Sequence, residues 1–120
     1  MRRLLLLFLI ALAIPTAHAA ASAASANAVT CPATGSSVQA LAPAYARSSY
    51  MIYNPAGGGI IRVGFLASGT AAIDDTDSFE MAAGQTFSDS VPGVYIGRVV
   101  CMSTTASAIT VYVVQTTKSQ

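Results

Sequence analysis

Ser48-Ser49-Tyr50-Met51-Ile52-Tyr53-Asn54-Pro55-Ala56-Gly57-Gly58-Gly59-Ile60-Ile61-Arg62-Val63-Gly64-Phe65-Leu66 is the stretch on which the fold turns. Tyr50 and Ile52 fall on one side of an extended chain and Met51 and Tyr53 on the other. Ile61, Val63 and Phe65 then alternate with Arg62, Gly64 and Leu66. A period of two means strands with one face in a core and one face largely wet. Asn54 to Gly59 separates the runs with residues that preset or permit turn dihedrals, and the reading at this point is a hairpin.

Outward from this pair the same grammar continues, with no window that keeps a helical period. Residues 38–45 are weakly apolar with Pro43 inside, which suits an edge strand or an extended arm. Ala67-Ser68-Gly69-Thr70 and Asp74-Asp75-Thr76-Asp77 are turns, and Ala82-Ala83-Gly84 links residues 78–81 to 85–88. Val91-Pro92-Gly93 precedes the run 94–102. Thr104-Thr105-Ala106-Ser107 leads into 108–116, where Ile109, Val111 and Val113 point inward, and residues 117–120 fray. Short strands spaced by turn signals predict an all-β fold, a small antiparallel β-sandwich or barrel of about six to seven strands.

The N-terminus has the zones of an export signal: Arg2 and Arg3, an apolar run from Leu4 to Ile14, and Ala17-His18-Ala19, after which cleavage is expected. The run is about eleven residues, short of the roughly 20 that span a bilayer as a helix, so no membrane insertion is expected after cleavage. The expected organisation is a signal peptide over 1–19, a flexible Ala/Ser lead-in over 20–30 and one β-sandwich domain over 31–117.

Beyond that leader the charges are Arg47, Arg62, Arg98 and Lys118 against Asp74, Asp75, Asp77, Glu80 and Asp89. No basic cluster is present to neutralise phosphates, so nucleic acid is excluded as a partner class. The two cysteines, Cys31 and Cys101, are even in number, which in an oxidising compartment favours a disulfide over two free thiols or an intermolecular bridge. Closing a loop of about 70 residues would restrict the unfolded chain by roughly 4 kcal/mol.

Catalysis fails on inventory, and no catalytic residue and no cofactor is assigned. The only histidine, His18, lies in the leader, so general acid/base chemistry lacks its usual group and a serine nucleophile lacks its base. Glu80 with an aspartate of 74–77 is the one conceivable glycosidase pair, and a solvated turn beside a strand accounts for the same residues. Asp74, Asp75 and Asp77 offer oxygen ligands of the kind calcium prefers but lack the glycine and distal glutamate of the twelve-residue loop; a polar turn is the simpler reading and no metal is assigned. Gly57-Gly58-Gly59 leads into a strand and not a helix, so it is no phosphate cradle.

Tyr45, Tyr50, Tyr53, Tyr95 and Tyr112 are five tyrosines in a chain without tryptophan. Tyrosine suits half-wet interfaces, and Tyr53, Tyr95 and Tyr112 are the interface candidates. The residues predict an exported, non-catalytic structural or interaction domain, periplasmic, extracellular or on a cell surface. Its partner is a protein, with a homo-oligomer as one form. The alternative is a secreted carbohydrate- or small-ligand-binding module.

The segment from Ala44 through Arg47 to Tyr53-Asn54, then Ile61-Arg62-Val63-Gly64, Met81-Ala82-Ala83-Gly84-Gln85, Val94-Tyr95-Ile96-Gly97 and residues 109–115 carry a further pattern. Over Val38 to Thr116 the chain resembles small β-sandwich proteins of tailed bacteriophages and prophages. The resemblance implies an accessory virion component of head, tail or fibre, placed on a virion surface, and brings no catalytic residues. An export leader and a distant cysteine pair set this chain apart from that group.

Overall fold

The computed structural model describes residues 22–66, 73, 78–90 and 92–118. Its strands are β1 (Ser22–Cys31), β2 (Val38–Leu41), β3 (Arg47–Tyr53), β4 (Ile61–Leu66), β5 (Ser78–Met81), β6 (Thr86–Ser90), β7 (Arg98–Ser103) and β8 (Ile109–Lys118). They form two four-stranded sheets. The front sheet has the order β1-β8-β3-β6 and the back sheet β2-β7-β4-β5, every pairing antiparallel. This is a double-sheet jelly roll, an all-β sandwich without helix among the described residues.

The core follows the period-two pattern. Tyr50, Ile52, Val111 and Val113 of the front sheet meet Ile61, Val63, Val99 and Met81 of the back sheet. Phe65, Phe79 and Phe87 fill the gap between the sheets, Phe79 and Phe87 with ring centroids 4.7 Å apart. A second, smaller cluster lies on the outside of the back sheet. There Ile73 packs with Leu66 and Val100, and Gly64 leaves it room: a Cβ at Gly64 would stand 3.2 Å from two Ile73 carbons.

Four expectations change. The structure has eight strands where about six to seven were expected, because residues 22–31 are not a flexible lead-in. They form β1, paired residue for residue with β8 from Ser22↔Lys118 to Cys31↔Ile109. Alanine and serine have little strand preference of their own, and the ladder to β8 supplies it. Second, Asn54 to Gly59 makes no hairpin, since β3 and β4 lie in different sheets. The Asn54 amide, fully buried, donates to the carbonyls of Gly59 and Met81 at 2.9 and 3.0 Å and turns the chain across the sandwich. Third, the run 94–102 is a strand only from Arg98, because Arg47 takes up the carbonyls of Tyr95 and Gly97. Fourth, Thr117 and Lys118 do not fray: they end β8, held by β1 and by a bond from Lys118 N–H to Ala46 C=O.

Candidate functional site: an open sheet edge and an uncharged sheet face

Cys31 and Cys101 form a disulfide with Cα atoms 5.3 Å apart. Cys31 ends β1 in the front sheet and Cys101 sits in β7 of the back sheet, so the bond ties the two layers together. Both are wholly buried.

Beyond that staple, β1 is an outer strand with β8 on one side only. Over ten residues, SAASANAVTC, it carries no charge and no proline. Natural sheets protect such borders with lysine, proline, bulges or brevity, and β1 has none of these. The back-sheet borders are protected: β2 and β5 are four residues each, and β2 has a bulge between Gln39 and Leu41. The other border of the front sheet, β6, is five residues long with its outward positions exposed.

The outer face of the front sheet consists of cross-strand rows set by the register. Ala28, Tyr112, Tyr53 and Thr86 form one row, Ala26, Val114, Met51 and Ser88 the next, and Ala24, Thr116, Ser49 and Ser90 a third. None of these twelve residues is charged, and the exposed Lys118 follows at the end of the β8 column, beyond the third row. Tyr53 and Tyr112 lie with ring centroids 6.5 Å apart and planes 24° apart, and Tyr112 is 51% exposed. The back sheet differs: its outside carries the Arg62–Glu80 ion pair at 3.0 Å and is partly covered by Ile73.

Of the three tyrosines singled out from the sequence, the structure thus brings Tyr53 and Tyr112 together and leaves Tyr95 elsewhere. Tyr95 packs edge-on against Phe65, centroids 5.1 Å apart, and its backbone N–H donates to an Asp89 carboxylate oxygen at 2.9 Å. Asp74, Asp75 and Asp77 lie outside the described residues. Among the described residues no group of three His, Cys, Asp or Glu side chains gathers as a metal site. Sequence reasoning missed β1 as a functional element; its uncharged, proline-free composition was the available signal.

No protein-family model and no curated protein matches the chain. A solved structure described as "Bacillus endospore appendages form a novel family of disulfide-linked pili" is similar in fold, with a TM-score of 0.51. The two are 15% identical, over 85% of this chain and 92% of that one. A likeness at this identity speaks for the shared fold.

Proposed function

We propose that this protein is an exported, non-catalytic structural subunit that assembles with copies of itself by adding strand to strand. The observation that carries the reading is the bare outer edge of β1, ten residues long without charge or proline. Backbone groups on such an edge are satisfied most cheaply by another strand.

The complementary edge is β6 of the next copy. With four strands all antiparallel, β1 and β6 run in opposite directions. A copy placed head to tail therefore sets its β6 antiparallel to β1, and the contact repeats without closing. The pilus subunit of similar fold lends support, as does a buried disulfide of the sort that forms outside the cytoplasm. Cleavage after Ala19 would leave β1 near a free N-terminus. The virion-component role implied by the phage resemblance calls on the same self-assembly.

The test is the mature chain, residues 20–120, observed by light scattering and negative-stain microscopy, with Ser25→Lys/Asn27→Lys alongside. Both positions are exposed, so the variant folds. Open-ended polymers are expected for the wild type and monomers for the double variant. A wild type that stays monomeric at about 100 μM, where a weak edge contact of micromolar Kd would be saturated, refutes the reading.

A further inference from the structure

We infer that the outer face of the front sheet is a second contact between copies, by which strand-extended polymers pair laterally. This inference rests on the self-assembly reading for its occupant. The three rows have relief as well as neutrality. Their two central columns, on β8 and β3, are raised by Tyr112 and Val114 and by Met51 and Tyr53. Their two outer columns are low: alanines on β1, and Thr86 and serines on β6.

In one copy the sequence of columns is low, high, high, low. Joined edge to edge, copies give two high columns and two low columns in regular alternation. Such a surface fits a second one displaced by two strands, about 10 Å, since every ridge then lies over a trough. The opposing sheets meet at roughly the 10 Å spacing of packed sheets, with no charge to desolvate in the three rows. The back sheet cannot substitute, because Arg62, Glu80 and the Ile73 cluster occupy its outside.

Area explains why this contact depends on the polymer. Four strands at about 4.8 Å and three rows at about 6.8 Å give a plane of roughly 400 Å² per copy, half of the approximately 800 Å² a stable partner contributes. Displacement by two strands halves even that for an isolated pair. Repetition along two polymers restores full overlap and adds the contacts by avidity.

The experiment compares wild type, Met51→Glu and Met51→Gln in the mature full chain by negative-stain microscopy, scoring length and width separately. Met51 is 38% exposed on the inner strand β3, away from both sheet edges, so neither variant touches the core or the edge contact. Wild type and Met51→Gln are expected as paired or bundled filaments, and Met51→Glu as single filaments of unchanged length. Equal widths for wild type and Met51→Glu overturn the inference and leave the edge reading standing. A wild type without filaments overturns both. Pull-down on microcrystalline cellulose or chitin supplies the last arm: retention lost in Tyr112→Ser, with bundling unchanged in Met51→Glu, assigns the face to a polysaccharide and overturns the pairing.

Discussion

Arg47 and Asn54 bracket β3 with two buried polar side chains that do opposite halves of one task. Arg47, only 3% exposed, donates from Nη1 to the carbonyls of Tyr95 and Gly97 at 2.8 and 3.2 Å, from Nη2 to that of Ala42, and from Nε to Gln115 Oε1 at 3.3 Å. It closes one end of the sandwich as Asn54 closes the other. Burial pulls its guanidinium below the usual value, with Tyr50 and Tyr95 opposing, and its carbon Cζ lies 5.5 Å from the centre of the Tyr50 ring. Tyr50 is the weak point of this end. Its buried hydroxyl approaches the Asp89 carboxylate without a well-formed hydrogen bond, and burial, followed by that carboxylate, raises its pKa well above the ordinary phenol value. A raised folded-state pKa keeps its full contribution below the unfolded value near 10 and loses it as pH climbs beyond. Stability should therefore decline above about pH 10. In Tyr50→Phe that alkaline decline should shrink, and at neutral pH the variant should match or exceed wild type, by up to about 1 kcal/mol, since a buried hydroxyl without a well-formed hydrogen bond is removed. Denaturant midpoints between pH 7 and 11 check both expectations, and a Tyr50→Phe variant that unfolds more easily at pH 7 refutes them.

At the scale of elements, legibility followed burial. β3, β4 and β8 were plain in the sequence because one face of each is packed in the core, which forces the alternation of Tyr50 and Ile52, of Ile61 and Val63, and of Val111 and Val113. β1 was not, because its residues from Ala24 to Ala28 are exposed on both faces and its strand character comes from a neighbour 84 to 92 positions away in the chain. The same limit explains the false hairpin at Asn54. Turn residues announce a change of direction, whereas the choice between the same sheet and the opposite one is made with a long-range bond to Met81, joined by a local one to Gly59. The face of Tyr53 and Tyr112 was half legible: the residues were named, but their adjacency needs the β3–β8 register. The cysteine pair was the long-range link that composition did indicate. Since Cys31 ends β1, breaking the bond should cost most in that element. Cys31→Ala/Cys101→Ala is expected to lose about 4 kcal/mol, within the range of 2–5 seen for native disulfides in small domains. Hydrogen exchange should show β1 amides losing protection before those of β3 and β8; uniform loss across the three strands would argue against β1 as the element the staple holds.

For the whole molecule, the same two cysteines decide what kind of polymer this chain can make. The neighbouring fold belongs to pili described as disulfide-linked. Here the full sequence has two cysteines, they are bonded to each other, and no free cysteine remains. With neither sulfur exposed, exchange onto a neighbour has no accessible thiol to begin it. On the strand-addition reading, a polymer of this subunit rests on backbone hydrogen bonds along β1 and β6 and on the packing of uncharged side chains, each link modest and additive. The chemical signature differs sharply from covalent linkage. Boiling in SDS without reductant should reduce polymers wholly to monomers of about subunit mass, and reductant should alter only the monomer's mobility as the internal loop opens. Mild reductant on intact filaments should leave their length unchanged, because the staple is buried inside each subunit and not between subunits. Dimers or ladders on non-reducing gels that collapse with reductant would mean that Cys31 and Cys101 pair across copies, and would replace the strand-addition account with a covalent one.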